Sequence, residues 1–162
     1  MYNLKDYCMI ISGKELSKSL KEELKVKVEA IGKEYDRTPN LVVILVGDDP
    51  GSVSYVTGKA KAADEVGIRN TTLRREATIS EDELLALVDE LNNDADVDGI
   101  LVQLPLPKHI DENKVIAAIS PEKDVDAFHP MNVAKLWLKQ PCVLPYTPKG
   151  IIKLLHFAGV EI

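Results

Sequence analysis

Cysteine is nearly missing from this chain: Cys8 and Cys142 are the only two, and they lie far apart in sequence. Two isolated cysteines make neither a disulfide framework nor a zinc site, which needs closely spaced Cys and His. The three histidines, His109, His129 and His156, are scattered as well, so no metal is expected. Long apolar runs are also lacking. The longest, Leu41–Val46, is far short of the roughly 20 residues that cross a bilayer. The opening stretch, MYNLKDYCMIISGKE, holds no apolar segment of the length a secretory signal needs, so a protein of the reducing cytoplasm is expected. A basic excess is absent too. Against 26 Asp and Glu stand 20 Lys and Arg, for a net charge of −6. That balance disfavours non-specific binding to nucleic acid or to an anionic membrane. There is no low-complexity stretch, no internal repeat, no GxGxxG and no P-loop.

What is present is an ordinary globular composition, 45% hydrophobic and 28% charged over 162 residues. That length corresponds to about one domain, able to bury about 68–70% of its unfolded surface. Helical and strand patterns alternate. Ser12 and Glu15 have capping-box spacing, and Leu16, Leu20, Leu24, Val28 and Ile31 follow at helical intervals, predicting a helix over 12–35. Leu41–Val46 is a continuous apolar run, as in a strand buried on both faces. Gly47–Gly51 reads as a turn, 52–66 as a helix with Gly67 past its end, and 69–75 as a strand. Ser80 with Glu83 opens a helix to about Asn92. Residues 97–103 read as a second buried strand, 111–119 as a short helix, and 132–138 as another. Thr147 with Pro148 opens a last helix that ends near Gly159. This order predicts an α/β fold, three layers (αβα) around a mostly parallel sheet. In such sheets ligands sit beyond the carboxyl ends of the strands, which directs attention to the segments after Val46 and Val102.

After the first strand, Ser52, Tyr55 and Lys59 fall within one sector of the predicted helix, apart from an apolar stripe of Val53, Val56, Ala60 and Ala63. A lysine at a cleft wall loses solvent, which lowers its pKa and suits it to move protons. A surface lysine and an amphipathic tyrosine on an ordinary helix fit the same spacing. After the second strand comes Gln103-Leu104-Pro105-Leu106-Pro107. Its prolines end strand pairing, and Gln103 offers one acceptor and two donors at the sheet mouth, or simply satisfies loop backbone. In the loop Pro121–Pro130, a carboxylate from Asp124 or Asp126 could take the amino edge of a pyrimidine through paired donors, although Asp124 reads first as a solvated loop carboxylate. His129 reads as a loop residue bonded to backbone, and His109 as a surface residue ahead of a helix.

Four ordered motifs then stand together: Pro39-Asn40-Leu41 through Val46-Gly47-Asp48-Asp49-Pro50 with Ser52, Tyr55 and Lys59; Asp98–Pro107; Pro121–Asp126 with Phe128-His129-Pro130 and Asn132; and Pro145 with Thr147-Pro148-Lys149-Gly150. The chain thereby resembles the bifunctional methylenetetrahydrofolate dehydrogenase/methenyltetrahydrofolate cyclohydrolase family over nearly its whole length. The resemblance implies oxidation of 5,10-methylenetetrahydrofolate with NADP or NAD. It also implies hydrolysis of the methenyl product to 10-formyltetrahydrofolate, in one-carbon metabolism serving purine synthesis. By motif match Lys59 is the catalytic lysine, Tyr55 stacks on the folate, Gln103 bonds near Lys59, and Asp126 holds the pterin. Ser52, Leu104 and Pro105 would line the same pocket. Tetrahydrofolate derivatives are the expected partners, with no nucleic acid or membrane, and the family is homodimeric.

Three positions depart from the family pattern: Ala127 and Ala134 stand where glycine is usual, and Tyr146 where cysteine is. A position that needs positive φ would cost alanine roughly 1 kcal/mol or more. The sequence reads as a folate-binding catalytic domain over 1–145, then a linking helix over 146–162 toward a Rossmann domain that is missing. No dinucleotide is therefore expected to bind this chain. Met9-Ile10-Ile11 resembles the family's usual start, so the first eight residues read as an extension. A non-catalytic folate- or protein-binding module, with an apolar patch at Ile151, Ile152, Leu154, Leu155 and Phe157, is the alternative.

Overall fold

A computed structural model describes residues 11–162. Cys8 and the expected start at Met9 lie outside the described residues. Helix α1 (Gly13–Tyr35) is capped by Ser12, whose hydroxyl accepts from the Glu15 N–H at 3.3 Å. It is followed by β1 (Asn40–Val46), α2 (Pro50–Val66), β2 (Arg69–Arg75), α3 (Glu81–Asn93) and β3 (Gly99–Val102). The chain closes with α4 (Glu112–Ala118), α5 (Pro130–Trp137) and α6 (Tyr146–Phe157).

The sheet is parallel, in the order β2-β1-β3. Alternate residues of β1 feed two cores. Val42, Ile44 and Val46 pack with Leu84, Val88 and Leu91 of α3 and Val115 of α4. Val43 and Leu45 pack with Val56 of α2 and Leu101 of β3 on the opposite face. Burial on both faces explains the unbroken apolar run of β1, and the three-layer αβα expectation holds. Among the described residues, no helix is long and apolar enough to cross a membrane.

Several boundaries differ from the sequence reading. Helix α2 begins at Pro50, not Ser52: the Asp49 carboxylate accepts from the Ser52 N–H at 2.8 Å and Pro50 occupies the first turn, where its missing N–H costs nothing. Helix α6 begins at Tyr146, with no side-chain cap. Thr147 therefore lies inside the first turn and does not cap it. Strand β3 spans four residues instead of seven, because Val97 and Asp98 precede its ladder and Gln103 only donates its N–H to Ile44.

One further stretch pairs with the sheet. The Ile100 N–H donates to the Lys123 carbonyl at 2.8 Å, and Ile100 bridges Asp124 in parallel. Gly99 permits this approach, since a Cβ there would come within 2.5 Å of Val125 Cγ1. Lys123 anchors the same stretch to the end of α3 by donating to the carbonyls of Leu91 (2.9 Å) and Asp94 (2.6 Å), where the helix dipole favours a cation.

Candidate active site

Strand order makes the position of the site a consequence of topology. From β1 the chain runs to β2 on one side, then crosses back to β3 on the other. The carboxyl ends of β1 and β3 thus flank a switch point, where connections diverge and leave a crevice. Lys59 comes from the helix after β1 and Gln103 from the end of β3. They meet there, the Lys59 ammonium donating to Gln103 Oε1 at 3.2 Å. The Gln103 amide is oriented for this, because its Nε2 donates to the Leu104 carbonyl at 2.7 Å. The following loop, with a cis peptide at Leu104–Pro105, is tied down by Glu112, whose carboxylate accepts from the Leu106 N–H at 2.8 Å. Glu112 was not singled out by sequence. Its position in the first turn of α4, five residues after a proline-rich loop, is the signal that points to it.

Asp126 reaches the same place from the third segment. A cavity of about 490 Å³ is lined by Lys59, Asp126 and Tyr146 together with apolar residues such as Leu41, Leu101 and Val125. Burial is the main influence on the Asp126 carboxyl and pushes its pKa up; Lys59 pulls it down and Asp124 pushes it up again. Burial likewise raises the Tyr146 phenol, with Asp126 and then Asp124 adding to the effect. Tyr55 is 70% exposed and shares a second, shallow depression with Lys59 on the outer side of α2. Lys59 borders both.

The remaining expected residues are placed differently. Ser52 is buried, and its N–H and hydroxyl engage Asp49, holding that carboxyl below its ordinary range. Leu104 packs against the α3-side core, and Pro105 is exposed. His109 is exposed with Nε2 2.8 Å from the Ile79 carbonyl. His129 is the N-cap of α5: Nδ1 accepts from the Met131 N–H at 3.0 Å, which leaves Nε2 to donate to the Ala117 carbonyl at 3.2 Å.

Asp124 corrects the sequence reading outright. It is not a solvated loop carboxylate but 4% exposed. Its Oδ2 accepts from the His129 N–H at 2.8 Å and from Asn132 Nδ2 at 2.9 Å, and Oδ1 accepts from the Phe128 N–H at 3.4 Å. Asn132, also buried, donates in addition to the Pro121 carbonyl at 2.9 Å. These bonds fold residues 121–132 into a rigid arch that carries Asp126. Ala127, buried at its crown, has φ +60°, so this position does impose the left-handed conformation that glycine favours. Among the described residues, no three His, Cys, Asp or Glu side chains gather to hold a metal ion.

Known proteins share this fold and sequence. Residues 11–126 match the family model described as "Tetrahydrofolate dehydrogenase/cyclohydrolase, catalytic domain". The "Bifunctional protein FolD" of Geobacillus thermodenitrificans is 56% identical over 156 residues, which are 94% of this chain and 54% of that protein. A crystal structure of the bifunctional FolD methylenetetrahydrofolate dehydrogenase/cyclohydrolase of Campylobacter jejuni superposes with a TM-score of 0.90 at 45% identity, covering 94% of this chain and 54% of its own. The Trypanosoma brucei FolD structure, complexed with NADP cofactor and inhibitor, gives a TM-score of 0.91 at 35% identity, covering 96% and 53%. The chain thus spans about half the length of the relatives it matches. Over that half, residues 11–126 carry the family's catalytic-domain pattern in order, and the chain belongs to the tetrahydrofolate dehydrogenase/cyclohydrolase family.

Proposed function

We propose that this chain is the folate-binding catalytic part of an enzyme of cytoplasmic one-carbon metabolism. That enzyme oxidises 5,10-methylenetetrahydrofolate and hydrolyses 5,10-methenyltetrahydrofolate to 10-formyltetrahydrofolate. The observation that carries the reading is the Lys59–Gln103 hydrogen bond at the switch point, with Asp126 lining a cavity that Lys59 also lines.

In the hydrolysis, water forms a C–O bond at the methenyl carbon and releases one proton; the bond to N5 then breaks as the remaining hydroxyl proton passes to N5, leaving the formyl group on N10. The substrate is a cation, so a freely moving ammonium opposes its approach. Gln103 holds the Lys59 nitrogen in place, and Asp126 supplies a compensating negative charge nearby. Lys59 orients the water and carries its proton. The Asp126 carboxylate takes the amino edge of the pterin through paired hydrogen bonds, and the open face of Tyr55 stacks on the remaining ring. Ser52 supports the start of α2 through Asp49, Leu104 anchors the loop beside Gln103 to the α3-side core, and the exposed Pro105 borders the substrate.

The oxidation would need a nicotinamide dinucleotide, such as the NADP of the Trypanosoma complex, as hydride acceptor. The residues described here do not fit such a group. The turns after β1, β2 and β3 read Gly47-Asp48-Asp49-Pro50-Gly51, Glu76–Ser80 and Gln103–Pro107, and none has the glycine spacing that lets a backbone approach a pyrophosphate. The hydride step is therefore not assigned to these residues.

The test is methenyltetrahydrofolate hydrolysis, followed by loss of methenyl absorbance, beside calorimetric titration with 5-formyltetrahydrofolate. Lys59→Met is expected to abolish hydrolysis without lowering the melting temperature, and Asp126→Ala to weaken binding. A Lys59→Met rate equal to wild type refutes the assignment. One observation favours a second reading, a protein-binding module: apolar side chains of α5 and α6 stand open, Trp137 at 83% exposure among them. A protein that remains monomeric in size-exclusion chromatography at rising concentration counts against it.

A further inference from the structure

The two C-terminal helices are open along most of their length, and none of their residues is fully buried except Asn132. Only one of their side chains lines the cavity of Lys59 and Asp126, and that is Tyr146, the first residue of α6. The ring is 53% exposed, so part of it packs against the protein and part remains free. Burial, and after it the charges of Asp126 and Asp124, push the pKa of its phenol further above the ordinary value of 10.0. An aromatic ring that is partly free thus lines the same largely apolar cavity as the Asp126 carboxylate, with Leu101 and Val125 also on its walls.

Tyr55 offers a second open ring, on the other side of Lys59 and in a separate depression. The lysine is therefore flanked by two aromatic surfaces with different neighbours, and only Tyr146 shares its cavity with a carboxylate. We propose that Tyr146 is a specificity-determining residue of this site: its ring is the surface against which a pteridine lies while Asp126 holds the amino edge of that pteridine. This rests on the folate reading above and deepens it. Tyr55 is left to the flat ring at the other end of the ligand, the aminobenzoyl group.

The test is calorimetric titration of the 162-residue chain with two probes, 5-formyltetrahydrofolate and 6-hydroxymethylpterin, the second a pteridine with no aminobenzoyl tail. Tyr146→Ala is expected to weaken both probes by about fivefold, the range of an aromatic contact, whereas Tyr146→Phe stays within about twofold of wild type. Tyr146→Leu, which keeps the apolar bulk at the start of α6, should weaken both probes as Tyr146→Ala does. Tyr55→Ala should weaken only the probe with the tail. If Tyr146→Ala and Tyr146→Leu bind both probes like wild type while Asp126→Asn weakens both, the folate site stands and Tyr146 is no part of it. If wild type binds neither probe, or Asp126→Asn changes neither, the folate reading itself fails and this proposal falls with it.

Discussion

Removing the Asp124 carboxylate tests how residues 121–132 are held. Two donors approach it at 2.8 and 2.9 Å and a third at 3.4 Å, and the Asp124 and Asn132 side chains are both buried. In Asp124→Ala the His129 N–H and the Asn132 amide lose their acceptor. Each buried donor left unpaired costs about 1–3 kcal/mol. The third bond is long and adds little. Two donors give a sum of about 2–6 kcal/mol, and water entering the vacated space, together with relief of a desolvated charge, keeps the net near the lower half, about 2–4 kcal/mol. At about 2–4 °C per kcal/mol for a chain of this size, the melting temperature should fall by about 4–16 °C. Thermal unfolding followed by far-ultraviolet circular dichroism measures this directly. Asp124→Asn retains one oxygen and should lose less. A double-mutant cycle with Asn132→Ala should return a coupling of about 1 kcal/mol or more, because the two side chains bond directly. If Asp124→Ala melts within about 2 °C of wild type, the carboxylate does not hold the arch and the reasoning fails.

Three further predictions concern the same arch. Asp126 has its folded pKa raised above the ordinary 3.8, chiefly by burial. Its contribution to stability is thus full below 3.8 and is lost as the pH rises through the folded value. Asp126→Asn should therefore melt higher than wild type at pH 7, with the gap narrowing toward pH 3.8, and a gap independent of pH contradicts the assignment. At Ala127, Gly relieves left-handed strain but gives up a buried methyl and chain entropy, so Ala127→Gly should move the melting temperature by less than about 3 °C. Ala127→Val, branched at Cβ, should cost at least about 2 kcal/mol by chemical denaturation, and a well-tolerated valine would refute the strain argument. Gly99→Ala should cost about 1–3 kcal/mol by driving a methyl into Val125, read by the same denaturation. An unchanged midpoint would show that the arch does not lie against β3.

Much of the fold was legible because its signals are local. The unbroken Leu41–Val46 run, the Ser80 cap with Glu83, and Gly67 at the end of α2 each fix an element from within a few residues. The meeting of Lys59 with Gln103 was also within reach, since both follow strands whose carboxyl ends adjoin in a parallel sheet. Asp124 was not legible. Its burial depends on Asn132, eight residues on, and on a bridge to β3 that exists only after the sheet has formed. The helix starts were misread for a different reason. Gly47-Asp48-Asp49-Pro50-Gly51 has turn composition throughout, yet Asp49 and Pro50 already serve as N-cap and first helical residue. At α6, Pro148 sits in the first turn, where an N–H has no intrahelical partner in any case, so the helix can begin two residues before Pro148.

The order β2-β1-β3 also bears on solubility. A free strand edge is a template on which another chain can add a strand, and the segment most prone to do so here is the apolar run of β1. That run has neighbours on both sides. The outer position falls to β2, whose sequence Arg-Asn-Thr-Thr-Leu-Arg-Arg is polar and rich in arginine, and the rim of β3 is met at Ile100 by the Lys123–Asp124 stretch. Self-association through β1 must therefore wait for β2 to peel away. Detachment of that one arginine-rich strand is thus the local opening that would offer the apolar run to another chain.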